Sequence, residues 1–321
     1  MSTSATLSLR VGRVRQEAQG IRRYELLADG GALPRFEAGA HLDLHLQDGL
    51  KRSYSICNAP SETNRYEIAV LDDPASRGGS RFVHQALHEG VQLTASVPRN
   101  NFPLVEQAPH TLMIAGGIGI TPFRAMVHRL QILGQAWTLH YCARTRQHAA
   151  FVEELQQLAA SGQGQLHLHF DLEPGGAPLD IAQQIASADE NTHLYCCGPG
   201  SMLDAFERAC SERPPTRVHR ERFAAATPVP SIGKTFEIVL ARQGRTLKVL
   251  PNKSILETVL EAGIDVPYSC FEGVCGACET EVLEGCIQHR DTLLSEDERA
   301  AGDRMMICCS TATSPSLVLD L

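Results

Sequence analysis

Four cysteines set the first chemical question. Cys270, Cys275 and Cys278 follow a C-x4-C-x2-C pattern, and Cys308 comes after 29 intervening residues. Three chemistries crowd thiols in this way: a disulfide framework, a zinc knuckle and an iron–sulfur centre. Zinc sites usually show paired C-x2-4-C units, and only one such pair is present here. A plant-type [2Fe–2S] cluster takes three thiolates from one tight loop and a fourth from a distant segment, and that is the spacing seen. Gly273 and Gly276 supply left-handed backbone angles and let N–H groups approach cluster sulfurs with no side chain in between, while Ala277 keeps the interior small. Cys286 and Cys309 fall outside the pattern. On a strand, Cys309 would face away from Cys308 as a small buried residue, and Cys286 would be a partly exposed free thiol.

The disulfide reading depends on compartment. Residues 1–9 are rich in Ser and Thr and lack the basic start and long apolar core of a signal peptide. No stretch approaches the roughly 20 apolar residues needed to span a bilayer. The expectation is a cytoplasmic protein whose eleven cysteines are thiols or metal ligands. A chain of 321 residues, 43% apolar and 21% charged, reads as two or three globular domains. A net charge of −8 argues against a nucleic-acid partner. The acidity is local: residues 235–321 hold 14 acidic and 7 basic side chains, against 23 and 22 in residues 1–234.

The positioning elements follow from pattern and punctuation. Residues 1–104 alternate at period two in LSLRVGRVRQ, HLDLHLQ, KRSYSIC and YEIAVL, which predicts an antiparallel barrel. One helix is expected at SRFVHQALHEG, with Ser80 as N-cap and Gly90 at its end. Residues 105–226 alternate strand and helix, as a parallel α/β domain does. Its first helix is expected to have Thr121 as N-cap, Pro122 at the first position and Gly134 past the end. The small, Pro-rich stretch 227–234 predicts a linker. Residues 235–321 open with a hairpin, continue with a helix capped by Ser254 and ended by Gly263, and close with the cysteine loop and final strands.

VPYSCFEGVCGACETEVLEG and DRMMICCS resemble the C-terminal ferredoxin domain of the phthalate dioxygenase reductase family, the single-chain reductases that serve Rieske-type aromatic oxygenases and O-demethylases. The likeness covers residues 7–321 in the family's domain order. It implies a flavin-binding β-barrel, a ferredoxin reductase-like α/β nucleotide domain and a β-grasp plant-type ferredoxin domain. Cys309 departs from the family, where valine is expected.

The resemblance also assigns roles. In RSYS, with Ser53 in its midst, Arg52 would neutralise the flavin phosphate, Tyr54 would lie along the flavin and Ser55 would hydrogen-bond near its reactive nitrogen. Gly78, Gly79 and Ser80 open a helix whose N–H groups suit an anion; a flexible turn is the plain alternative. A terminal phosphate held there suggests FMN rather than FAD. In AGGIGITPF, Gly116, Gly117, Gly119, Thr121 and Pro122 resemble the nicotinamide loop of ferredoxin reductases, where glycines let a pyrophosphate approach a helix N-terminus. In YCCGPGSM, Cys197, Gly198, Pro199 and Met202 resemble the second cofactor motif, with Cys197 at the hydride-transfer position. A redox dithiol of Cys196 and Cys197 is disfavoured, because neighbours on a strand face opposite sides. In HRERF, Glu221 and Phe223 would lie beside the flavin; a core aromatic is the plain alternative for Phe223. Arg144 follows the second strand of the α/β domain and Asp171 the third, where the adenosine ribose would lie, and the family favours NADH over NADPH.

Hydride, flavin and cluster motifs together imply a current path from NADH through FMN and [2Fe–2S] to a partner oxygenase docking at the acidic ferredoxin domain. The histidines look scattered in sequence, as surface or packing residues, and form no His/His/carboxylate oxygenase site. The alternatives are a self-sufficient flavin or ferric reductase, and an iron–sulfur redox sensor.

Overall fold

Period-two alternation in the first hundred residues becomes β1 (Thr6–Ala18), β2 (Ile21–Ala28), β3 (His41–His45), β4 (Lys51–Ser55), β5 (Tyr66–Leu71) and, after helix α1 (Gly79–Ala86), β6 (Gln92–Ser96). These elements belong to a computed structural model that describes residues 6–47, 50–74, 78–223, 235–251, 253–268, 273–274 and 276–321. It divides into two units, Met1–Arg222 and Phe223–Leu321. The six strands form one antiparallel sheet in the order β4-β3-β6-β1-β2-β5. Its edges approach each other just past β4, where Cys57 N–H donates to the Glu67 carbonyl of β5 at 2.8 Å. Asn58 Oδ1 accepts the Glu67 N–H beside it. The sheet thereby curls into the expected barrel around Leu9, Tyr24, Leu26, Leu42, Leu44 and Ile68.

The next elements are β7 (Thr111–Gly116), α2 (Ile120–Leu133), β8 (Trp137–Ala143), α3 (Val152–Ala160), β9 (Gly164–Phe170), α4 (Ile181–Ser187), β10 (His193–Cys197), α5 (Gly200–Ala209) and β11 (Val218–Glu221). All five strands run parallel, in the order β11-β10-β7-β8-β9. The chain therefore reverses its winding between β7 and β10. That switch point opens a crevice at the strands' carboxyl ends, the usual ligand position in such sheets. Phe123, Trp137, Tyr141 and Phe151 fill one face of the sheet, and Ile114, Ile181, Leu203 and Phe206 the other.

Two helix starts differ from expectation. α1 begins at Gly79 and is capped by Gly78 in a left-handed conformation, φ 91°, so Ser80 lies in the first turn. Gly90, at φ 90°, falls in a turn beyond the helix rather than at its end. α2 is preceded by a 3-10 turn at Gly117–Gly119 and capped by Gly119. Thr121 is inside the helix and its hydroxyl donates to the Ile118 carbonyl at 3.0 Å. In both cases glycine makes the sharp entry that a side-chain cap was expected to mark. Gly134 ends α2 at φ 65°, as expected.

The second unit contains β12 (Phe236–Leu240), β13 (Arg245–Val249), α6 (Ile255–Glu261), β14 (Glu279–Glu284), β15 (Ile287–Gln288), α7 (Glu296–Ala301), β16 (Arg304–Met306), β17 (Thr311–Ala312) and β18 (Ser316–Leu319). Its sheet runs β13-β12-β18-β14-β16, with only β12 and β18 parallel, and α6 packs on it: a β-grasp arrangement. α7, a second capped helix, lies where only strands were expected. The expected linker, 227–234, lies outside the described residues. Ser254 and Glu257 form a reciprocal capping box at the start of α6. Ser254→Ala removes the acceptor of the Glu257 N–H and a donor to the Glu257 carboxylate, and should cost the second unit about 1 kcal/mol, measured as a lower midpoint of chemical unfolding for that unit.

Candidate functional site

Strand alternation sets Arg52 and Tyr54 on one face of β4 and Ser53 and Ser55 on the other. Arg52 lies directly against the start of α1: a Cβ on Gly79 would stand 2.7 Å from Arg52 Cγ and Nε. Gly79 is buried, and no side chain caps the first turn. A guanidinium beside uncapped N–H groups, with backbone bare of side chain, suits a phosphate. Ser80 turns its hydroxyl to the Asp73 N–H at 3.3 Å. Ser53 donates to Asp43 Oδ1 at 2.7 Å, a bond internal to the barrel. Tyr54 is packed against the barrel core, and burial raises its hydroxyl well above the ordinary value.

At the switch point the two glycine loops touch backbone to backbone. A Cβ on Gly119 would meet the Cys197 carbonyl at 2.2 Å, and one on Gly116 would meet Pro199 Cδ at 2.6 Å and Met202 Sδ at 2.9 Å. A Cβ on Gly198 would meet Met202 Sδ at 2.7 Å. Gly117, by contrast, has φ 54° and open space before it. It is the bare backbone that a ligand can approach. Thr121 and Pro122 are buried within α2, beneath that surface. Arg144 and Asp171 are exposed at adjacent strand ends, and Asp171 N–H donates to the Ala143 carbonyl at 3.1 Å.

Three groups converge where the barrel meets this crevice. Cys197 ends β10 and Glu221 ends β11, in register with each other. Ser55, at the end of β4, donates to Glu221 Oε2 at 3.4 Å. Burial pushes the Glu221 carboxyl up to about 8, with the Ser55 hydrogen bond pulling the other way. Burial also raises the Cys197 thiol, and the neighbouring Glu221 adds to the rise. Cys196 packs on the opposite face of the sheet from Cys197, which removes the dithiol alternative. Phe223 is 43% exposed, so it is not a core aromatic.

In the second unit Cys278 and Cys308 are both buried, and Ile307 N–H reaches the Cys278 carbonyl at 3.4 Å, which holds their segments together. Cys270 and Cys275 lie outside the described residues. Gly273 and Gly276 have φ 70° and 72°, the left-handed angles expected of the loop. Cys308 sits in the turn after β16, not on a strand, so the opposite-face argument for Cys309 fails. Cys309 is nonetheless buried at 2% exposure, and Cys286 is exposed. Buried thiols from a glycine loop and a distant turn are a donor set that fits iron.

Residues 238–313 match the model of the 2Fe-2S iron-sulfur cluster binding domain, and residues 113–208 that of the oxidoreductase NAD-binding domain. The phenoxybenzoate dioxygenase subunit beta of Ectopseudomonas oleovorans is 47% identical, over 100% of this chain and 99% of its own. A tetrachlorobenzoquinone reductase of Sphingobium chlorophenolicum is 46% identical over 99% and 98%. Among solved structures, phthalate dioxygenase reductase, a modular structure for electron transfer from pyridine nucleotides to [2Fe–2S], superposes with a TM-score of 0.75 at 36% identity over 99% and 98%. The chain belongs to the phthalate dioxygenase reductase family. It is an oxidoreductase with a nucleotide-binding domain and an iron–sulfur domain.

Two features of this reductase had no signal in sequence. Arg124, on α2, bonds Glu67 Oε2 and the Cys57 carbonyl of the barrel at 2.8 and 2.9 Å, and Glu154 of α3 at 2.9 Å. Its partners lie 30 to 67 residues away, so no local pattern announces it. Five of the thirteen histidines gather on the parallel sheet: His140 with His167 and His169, and His193 with His219.

The Glu221 shift sets a pH dependence. An unfolded glutamate loses its proton near 4.5, whereas the folded one keeps it to about 8. Between those values the folded state holds the extra proton, so stability falls as pH rises through the window. Glu221→Gln cannot ionise and should flatten that fall. Melting temperatures of variant and wild type should diverge in the variant's favour from about pH 5 to pH 8. Parallel curves would place the ionisation elsewhere.

Proposed function

We propose that this reductase takes a hydride from NADH onto FMN and passes single electrons through a [2Fe–2S] cluster to a Rieske-type oxygenase that docks at the acidic second unit. The reading is carried by the meeting of Ser55, Glu221 and Cys197 at the switch-point crevice, in a chain whose other unit buries Cys278 and Cys308. When bound, FMN accepts electrons in pairs and releases them singly, which a nicotinamide and an iron–sulfur centre each require of an intermediary.

The chain's own groups bind and orient. Arg52, with the N–H groups of Gly79 and Ser80 and the turn at Gly78, neutralises the flavin phosphate. Tyr54 lines the ring and Phe223 covers it. Ser55 donates to the ring's edge or to Glu221, and Glu221 keeps a proton there at neutral pH because it is buried. Cys197 stays a neutral thiol, a small apolar wall at the hydride-transfer position. Gly117 gives the nucleotide bare backbone, while Gly116 and Gly119 complete its loop by closing on the facing turn held by Gly198, Pro199 and Met202. Thr121 and Pro122 shape the helix entry beneath it. Ser53 fixes β4 through Asp43. Arg144 and Asp171 flank the ribose, with Asp171 favouring NADH. Cys270, Cys275, Cys278 and Cys308 hold the cluster. Residues 1–104 and 105–226 serve as flavin and nucleotide domains, followed by a linker at 227–234 and the ferredoxin domain at 235–321.

Anaerobic titration with NADH should bleach flavin and cluster absorption together and yield the EPR signal of a reduced [2Fe–2S] centre, with NADPH far less effective. Cys308→Ser should keep flavin bleaching and lose the cluster signal. Flavin bleaching with no cluster signal in the wild type would sink the electron path. Steady NADH oxidation without any partner would favour a self-sufficient flavin reductase instead.

Residues 235–321 carry 14 acidic and 7 basic side chains. Electron delivery to an oxygenase should therefore slow as ionic strength rises through the Debye-screening range, about 0.01 to 0.15 M. Delivery rates indifferent to salt would count against docking at this acidic unit.

A further inference from the structure

In a doubly wound sheet helices normally cover both faces and the strands read as apolar runs. Here the face that carries α4 and α5 is covered over β7 and β10, where Leu112, Ile114 and Leu194 meet Ile181, Ile185 and Phe206. Thr138 and His140 of β8 lie in register with Gln165 and His167 of β9, and His169 shares their face. A cavity of about 550 Å³ opens over these side chains, with His110 and Thr192 also in its wall. Within it His140 Nδ1 and His169 Nε2 face each other at 3.2 Å. His140 stacks on His167 with ring centroids 4.8 Å apart. The Thr192 hydroxyl, in a residue only 1% exposed, has no hydrogen-bond partner.

A hydrogen bond between two neutral rings accounts for the 3.2 Å contact alone. It leaves unexplained the cavity and the third ring. Burying His140 is itself costly. Burial, reinforced by His167 and His169, pushes its ring down to about 4, so it stays neutral at physiological pH. Neutral imidazole is the form that binds metal. Two imidazole nitrogens that share one tetrahedral ion at bond lengths of about 2.0–2.1 Å stand about 3.3 Å apart. The observed separation is already close to that bite.

We propose that this cavity binds a divalent transition-metal ion, Zn2+ or Ni2+, between His140 Nδ1 and His169 Nε2, at a site distinct from the flavin, nucleotide and iron–sulfur sites. Among the described residues no three His, Cys, Asp or Glu side chains converge as a ready metal centre. The two imidazoles are therefore the protein ligands, and water completes the shell. His167 stacks on the His140 ring and takes no part in the 3.2 Å contact between the ligand nitrogens.

The test is calorimetric titration of the untagged, cofactor-loaded full chain with NiCl2 and, separately, ZnCl2. One equivalent should bind. His140→Gln and His169→Gln should each weaken binding about tenfold or more, while Cys286→Ser, at the exposed thiol, should not change it. Cu2+ added to the oxidised protein should show EPR coupling to two nitrogens. The proposal is overturned if neither metal binds, or if binding survives both histidine changes, or if it disappears with Cys286. Should His140→Gln fail to fold by circular dichroism, His169→Gln, at a less buried position, decides the matter alone.

Discussion

Arg124 reaches from α2 into the barrel and is 5% exposed, with its guanidinium spread over Glu67, Glu154 and the Cys57 carbonyl. A buried cation needs this number of acceptors, because desolvation otherwise exceeds the attraction. Its partners respond accordingly. Burial alone would raise Glu154, but the His128 hydrogen bond and the Arg124 charge hold it down at about 2. Phe151 lays its ring over Arg124 at 4.8 Å and over Arg23 at 5.9 Å. To do so Phe151 holds φ 61°, an unfavourable backbone for a bulky residue, so the clasp stores local strain. Removing one partner of such a set strands a buried charge, typically at about 3–5 kcal/mol.

The consequence for chemistry is positional. Cys57 lies two residues past Ser55, and Arg124 one turn past the glycine loop at 116–119. One side chain therefore fixes the end of β4 against α2. The Ser55–Glu221 contact at 3.4 Å joins the barrel to the parallel sheet a second time. Hydride transfer demands reacting atoms held within a few tenths of an ångström, and a buried, multiply bonded guanidinium is stiffer than any exposed ion pair. At the same crevice the glycine loops add a second constraint. Backbone lies against backbone at Gly119 and Cys197, so neither loop can shift without the other.

What sequence made legible was local and covalently spaced. Period-two runs gave the barrel strands, the strand–helix alternation gave the parallel sheet, and C-x4-C-x2-C gave the cluster loop. Ser254 read correctly as a cap because its partner, Glu257, is three residues away. Ser80 and Thr121 read incorrectly because a glycine took each cap: Gly78 through its left-handed angle, and Gly119 where the Cys197 carbonyl leaves no room for a side chain. Arg124 and the histidine cluster were illegible for a different reason. Their partners arrive from other strands and helices, and only the register of the folded sheet brings His140 opposite His167.

The cluster loop shows how far the protein prepares a site by its own packing. Gly273 has a left-handed backbone, and it also has no room: a Cβ there would stand 2.4 Å from Cys309 Sγ and 2.9 Å from Asp291 Cα. The loop thus rests on residue 309, which must stay compact, and a thiol in place of valine meets that demand. Asp291, buried, accepts the N–H groups of Leu293 and Leu294 and the Ser310 hydroxyl, while Thr292 N–H donates to the Gly273 carbonyl. These bonds are made by protein groups alone. They seat Gly273 beside Cys309, next to the buried Cys308. The described side of the loop is therefore shaped by core packing and hydrogen bonds.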